Sequence, residues 1–263
     1  MSLRTAPATS SVSELFRLDG RVALVTGASS GLGVALARAF AEAGADVSVV
    51  ARRVERLEET RADVERAGRR AVVVEADVTS VDDCRRAVET TVAELGRLDV
   101  LLNNAGVSGA VPGTREPPEH FRHIVDVNLC GSYWMAQAAA RAMTDGGSIV
   151  NLGSVLGSTT MGLPQAAYSA SKAAIEGLTR DLAQQWTGRK GIRVNAIAPG
   201  IFPSEMTARY EPGYAEDLIE RRIPAGRWGD PRELAATAVF LASDAAAYIT
   251  GVVLPVDGGL LTT

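Results

Sequence analysis

The sequence predicts a single-domain α/β fold, a doubly wound parallel sheet of about seven strands with helices on both faces. Three observations carry that reading. Short β-branched runs alternate with longer Ala/Leu/Arg segments along the 263 residues, and parallel strands need such crossover segments between them. The strand-like runs are continuously apolar, which suits a sheet buried on both faces rather than one with a wet side. The longer segments carry helical periodicity, and several close on a glycine, at Gly44, Gly68 and Gly96.

Taken in order, residues 1–17 read as a flexible tail, polar at its start and lacking the apolar core of a secretion signal. The folded unit is expected over 18–263. Strands are expected over 22–26, 46–51, 71–75, 100–102, 148–152, 193–198 and 252–256. Helices are expected over 33–43, 54–67, 81–95, 119–142, 165–186 and 231–243. The stretch 201–227, rich in proline and charge, reads as an irregular, mobile lid.

Composition narrows the function classes. With 46% hydrophobic residues, the chain can bury one substantial core. A net charge of −4 gives no basic field for a polyanion, so nucleic-acid binding is not expected. Cys84 and Cys130 form no ligand pair, which points to a reduced chain without a disulfide. His120 and His123 stand three apart, but no further His completes a metal site, so no metal is expected. No apolar stretch approaches the roughly 20 residues that span a bilayer, which favours a cytoplasmic protein with no membrane partner.

The first expected strand runs directly into Thr26-Gly27-Ala28-Ser29-Ser30-Gly31-Leu32-Gly33, with a helix at once behind it. Gly27 permits the tight turn, Gly31 lets backbone amides approach a pyrophosphate, and Gly33 lets helix and strand pack closely. Ser29, Ser30 and Leu32 complete this candidate cofactor loop. The second strand ends in Ala51-Arg52-Arg53. An acidic residue there would hold ribose hydroxyls and repel a phosphate. Arg52 and Arg53 instead offer guanidinium forks suited to one, so NADP(H) is favoured and NAD(H) stays open.

A second constellation lies further on. Tyr168 and Lys172 are four apart in an expected helix and share a face. Lysine is scarce here, Lys172 and Lys190 being the only two. A phenol is a poor base near neutrality, but an adjacent ammonium and an oxidised nicotinamide favour its anion. Tyr168 is then a usable acid/base, and Ser154, behind a strand end, can polarise a substrate oxygen.

Together these segments resemble the short-chain dehydrogenase/reductase family, whose Gly-x-x-x-Gly-x-Gly spacing, Asn-Asn-Ala-Gly segment and Ser-Tyr-Lys set are matched at 27–33, 103–106 and Ser154, Tyr168 and Lys172. The resemblance covers about 18–260. It implies a Rossmann-type fold in which Asn104, Ala105 and Gly106 line the cofactor cleft, Asp77 and Val78 contact the adenine, and Lys172 also binds the nicotinamide ribose. It further implies that Asn128 holds a water relaying protons from Lys172. Pro199, Gly200, Ile201 and Ser204 are implied to hold the nicotinamide amide. A homotetramer is likewise implied.

Between Ser154 and Tyr168 this chain is one residue longer than many members, so Ser158 stands as a lesser candidate for the serine. The expected reaction is reduction of a small-molecule ketone to a secondary alcohol. Phe202, Met206 and Met161 lean the substrate toward a 3-oxoacyl type, with a sugar-acid or polyol dehydrogenase as the rival. A nucleotide-binding protein without catalysis is the third reading.

Overall fold

The protein, described by a computed structural model over residues 11–263, contains one sheet of seven strands, all parallel. They are β1 (Val22–Thr26), β2 (Asp46–Ala51), β3 (Ala71–Glu75), β4 (Val100–Asn103), β5 (Gly147–Leu152), β6 (Ile192–Pro199) and β7 (Val253–Val256). Their order is β3-β2-β1-β4-β5-β6-β7. The winding direction reverses between β1 and β4, so the loops leaving those two strands diverge and open a crevice at their carboxyl ends.

Side chains alternate across the sheet. Ala23, Val25, Val47, Val49, Val100 and Leu102 face one core, shared with α1 (Gly31–Glu42), α2 (Val54–Arg66) and α8 (Pro231–Ala242). Leu24, Val50, Leu101 and Ile149 face the other, under α3 (Val81–Leu95), α5 (Gly131–Ala142) and α6 (Ala166–Lys190). Two buried faces explain why the strands read as unbroken apolar runs. Helix ends follow local chemistry: Ser80 accepts from the Asp83 N–H to start α3, and Asp230 with Glu233 forms a capping box at α8.

Three expectations are corrected. The helix expected over 119–142 is α4 (Pro118–Val125) and α5 joined by a wider π turn, Asp126–Cys130. Here the Asn128 side chain bonds the Val107 backbone, and Gly131 lies so close to Val78 that a Cβ would stand 2.7 Å from it. Helix α6 runs past the expected 186 to Lys190, where Gly191, at φ +67°, stops it. The stretch 201–227 is not irregular throughout. It holds a 3-10 turn, Thr207–Arg209, and α7 (Tyr214–Arg222), whose Ala215, Leu218 and Ile219 are buried in a third cluster with Leu156, Met161 and Tyr168. Nine residues with a mostly charged outer face gave that helix too weak a periodic signal.

Of the tail expected over 1–17, residues 1–10 lie outside the described residues. Glu14–Phe16 form one 3-10 turn, with the Phe16 ring 5.9 Å from that of Phe240. Among the described residues no helix is long and apolar enough to cross a membrane.

Gly33 fixes how α1 meets β1. A Cβ there would stand 2.2 Å from the Gly27 carbonyl oxygen and 2.8 Å from Asn104 Nδ2. Gly33→Ala is therefore expected to cost about 2 kcal/mol through overpacking, read as a lower urea midpoint at unchanged slope. An unchanged midpoint would contradict this close approach.

Candidate active site

The crevice at the β1/β4 reversal encloses about 460 Å³, ample for a small ligand. Its walls are tied together by a few side chains. The Thr26 hydroxyl receives the Asn104 and Ala105 N–H groups at 3.0 Å each, and Asn104 Nδ2 donates to the Thr26 and Gly27 carbonyls at 2.9 and 3.2 Å. Deeper in, Asn103 Nδ2 donates to Asn151 Oδ1 at 2.9 Å, and Asn151 Nδ2 to Thr179 Oγ1 at 2.9 Å. These buried bonds fix the loops after β1, β4 and β5 relative to one another.

At one end lies the glycine loop. Gly27 and Gly31 have φ of +66° and +53°, a region in which glycine is favoured. A Cβ on Gly31 would meet nothing nearer than Ser204 Cβ at 3.5 Å, so the loop faces open cleft where phosphates can approach amides at the start of α1. Gly27, Ser29, Ser30, Gly31, Leu32 and Gly33 all line the cleft, as do Arg52, Arg53, Asp77 and Val78. The two arginines differ. Arg52 stands 3.7 Å from Asp77, an open, exposed pair. Arg53 Nη2 donates to Ser30 Oγ at 2.9 Å and Ser29 Oγ at 3.2 Å, and its fork also meets Glu205 at 3.1 and 3.3 Å. Burial works against the Asp77 carboxylate, but the Thr79 N–H and hydroxyl and the Arg52 charge together hold its pKa below the ordinary value. These donors, cations and the glycine loop fit a phosphorylated dinucleotide.

At the other end Tyr168 and Lys172 project from one face of α6, buried at 8% and 5% exposure. Lys172 Nζ lies 5.7 Å from the Tyr168 ring centroid and donates to the Leu152 carbonyl at 2.7 Å. Ser154 starts a 3-10 turn, Val155–Gly157, accepting from the Leu156 N–H, and lines the cleft together with Tyr168. Ser158, the lesser candidate, is exposed, bonds Glu176 Oε1 at 2.9 Å and does not line the cleft. Burial pushes the Tyr168 phenol up to about 12, with the Ser154 hydroxyl pulling the other way, and burial pushes Lys172 down to about 8. The ammonium does not by itself bring the phenol down.

Most of the remaining expected residues converge here. Asn104, Ala105, Gly106, Pro199, Gly200 and Ser204 line the cleft. Two do not. Asn128 is buried behind it, its amide bonding the Val107 N–H at 2.8 Å, the Val107 carbonyl at 3.0 Å and Ser171 Oγ at 3.0 Å. Ile201 is turned into the third cluster, and its carbonyl accepts from Gly229. Sequence reasoning missed Gln165 and Tyr210 as cleft residues, and also Glu205 as the partner of Arg53. Gln165 was legible as one helical turn before Tyr168, whereas the others depend on how the 201–227 stretch folds back.

The family model described as enoyl-(acyl carrier protein) reductase matches residues 27–261. Among curated proteins, the chain is 42% identical to the galactitol 2-dehydrogenase (L-tagatose-forming) of Cereibacter sphaeroides, covering 93% of this chain and 96% of that protein. It is 40% identical to the 3-oxoacyl-(acyl-carrier-protein) reductase FabG of Thermotoga maritima, covering 93% and 99%. Among solved structures it resembles a gluconate 5-dehydrogenase from Burkholderia cenocepacia J2315, in complex with NADP and tartrate. That match has 37% identity, a TM-score of 0.90, and 95% and 98% coverage.

The buried ammonium has a stability consequence. Lys172 loses its proton at about 8 when folded, against an ordinary 10.5, so between those values the unfolded chain binds more protons. Its burial as a cation weakens the fold in full below pH 8, and the cost fades as pH rises through the window. Tyr168 acts in the opposite sense only above pH 10. Lys172→Met is expected to be more stable than wild type by up to about 3 kcal/mol near about pH 7, the gap closing towards about pH 10. Urea denaturation across that range checks it, and a gap independent of pH contradicts it.

Proposed function

Because the chain belongs to the short-chain dehydrogenase/reductase family, we propose that it is an NADP(H)-dependent oxidoreductase interconverting a ketone and a secondary alcohol, with Tyr168 as acid and base. The observation that carries the reading is the meeting of Ser154, Tyr168 and Lys172 in the cleft that also holds the glycine loop. When bound, the dinucleotide supplies or accepts a hydride and, oxidised, adds a positive charge near the phenol. The chain's own groups do the rest. The Ser154 hydroxyl holds the substrate oxygen beside Tyr168, whose hydroxyl gives it a proton in reduction and takes one in oxidation. Burial excludes water from that transfer. The Lys172 ammonium, held by the Leu152 carbonyl, faces the developing phenolate.

NADP(H) is the proposed dinucleotide because β2 ends in Ala51, without a carboxylate, and Arg52 stands free enough beside Asp77 to take a phosphate. Gly27, Ser29, Ser30, Gly31, Leu32 and Gly33 would hold the pyrophosphate, with Arg53 bracing the two serines. Asp77 and Val78 would border the adenine, and Asn104, Ala105 and Gly106 the central cleft. Pro199, Gly200 and Ser204 would border the carboxamide, with Ile201 behind them in the third cluster. Asn128, which clamps Val107 behind Gly106, would position the proton path from Lys172 rather than touch substrate.

For substrate, a small polyhydroxylated molecule such as a polyol or sugar acid is the proposed class. The galactitol and gluconate relatives support it, and so do the polar groups of Gln165, Arg209 and Tyr210 in the cleft walls. The second reading, a 3-oxoacyl thioester, is favoured by Met161, Phe202 and Met206 in the same walls and by the FabG relative. The proposed assembly is a homotetramer, with Tyr248 and Val252 as exposed apolar surface that a second copy would cover.

NADPH oxidation over keto-sugars, 3-oxoacyl thioesters, quinones and steroid ketones separates the substrate readings. Tyr168→Phe is expected to lower turnover about a thousandfold while NADPH still binds, as followed by its fluorescence. Retention of wild-type rates in that variant would sink the acid/base assignment. Arg52→Asp is expected to weaken NADPH about tenfold or more, and an unchanged preference for NADPH over NADH would remove that arginine from phosphate recognition.

A further inference from the structure

Gln165 opens α6 three residues before Tyr168 and lines the cleft alongside it. A separation of three residues across this helix start places both side chains on the same side. Its residue is 7% exposed, yet the buried Oε1 has no hydrogen-bond partner among the described residues. Such orphans are uncommon, because burying an amide oxygen without a donor is unfavourable. The fold does not use the amide as a cap, since Gln165 is the N-cap residue of α6 without any side-chain cap bond. Only its backbone is engaged, the carbonyl accepting from the Ser169 N–H at 2.9 Å. Serine, threonine, aspartate or asparagine would serve better as an N-cap. An amide kept at this position is explained by something that enters the cleft.

We propose that Gln165 is a substrate-binding residue that accepts a hydrogen bond from a second hydroxyl of the substrate, on a carbon near the one that reacts. An orphan acceptor selects for a donor. A polyol or sugar acid brings hydroxyl donors flanking its reacting carbon. A 3-oxoacyl thioester offers only another acceptor, which the amide meets by turning Nε2 inward, and a plain ketone offers no second group at all. A site built around a hydrogen-bonding group discriminates strongly against the analogue that lacks its partner. Gln165 therefore favours a hydroxyl-bearing substrate over a plain ketone, while Met161, Leu156 and Phe202 pack the carbon skeleton. This rests on the ketone–alcohol chemistry proposed above and narrows its substrate.

The experiment compares kcat/KM for acetoin and its deoxy analogue butanone, with NADPH, in wild type and Gln165→Leu. Wild type is expected to prefer acetoin, and the variant to lose about tenfold or more of that preference. An unchanged ratio overturns the proposal. Binding of galactitol to the NADP-loaded Tyr168→Phe protein, with and without Gln165→Leu, probes the same contact without turnover. There the leucine is expected to weaken binding about tenfold, and equal binding, or none in either protein, overturns the role of Gln165. If Tyr168→Phe still reduces acetoin, the acid/base assignment fails, whatever the two Gln165 comparisons give. Thermal unfolding keeps the leucine variant interpretable. It is expected to be at least as stable as wild type, and marked destabilisation would mean that the amide serves the fold.

Discussion

A lysine side chain closed inside the protein is the constraint around which this site is built. Taking the Lys172 ammonium out of water is unfavourable, and the fold meets that with the Leu152 carbonyl and with a long helix that leaves the group little freedom. The same dry surroundings hold Tyr168 protonated until about 12. Dryness thus suppresses both charges, and a phenolate can form only when further positive charge reaches the cleft. In the proposed role as acid and base, a phenol that stays neutral until positive charge arrives is protected from idle ionisation.

The sheet supplies the rigidity that such a balance needs. β1 and β4 diverge at their carboxyl ends, and the Thr26 hydroxyl and Asn104 amide join the two loops that leave them. The Asn103–Asn151–Thr179 chain carries that join across β5 to α6, the helix of Tyr168 and Lys172. The glycine loop and the Tyr168–Lys172 pair are thereby held on one frame, although more than 130 residues separate them in sequence. On the outer wall the 201–227 stretch is more than a loose cover. Its helix α7 packs on Met161 and Tyr168, while Glu205 meets Arg53, so this segment touches both ends of the cleft.

Much of this was legible in the sequence, for physical reasons. Strands buried on two faces are unbroken apolar runs, and every expected strand is present to within a residue or so at its ends. The glycine loop was legible because its geometry tolerates few residues, and the Tyr168–Lys172 pair because helical spacing alone places both on one face. What escaped depends on tertiary context. The π turn at Asp126–Cys130 arises from contacts of Asn128 with Val107 and of Gly131 with Val78, which no local periodicity encodes. Helix α7 is short and charged outside, so its few buried positions made no pattern. Gln165 carried no motif, and its significance comes from an oxygen left without a partner. The expectation that the Lys172 ammonium and an oxidised nicotinamide together favour the Tyr168 anion left out desolvation, which is the largest cause acting on both groups.

The central claim is that positive charge beside a buried phenol makes it a working acid/base. Following the ring-carbon resonance of isotopically labelled Tyr168 as pH rises, in the free protein and with saturating NADP+, tests that claim most directly. The phenol should ionise near 12 in the free protein and well below its ordinary 10 in the complex, with Lys172→Met moving it back up. A titration that stays near 12 whatever is bound would contradict the account.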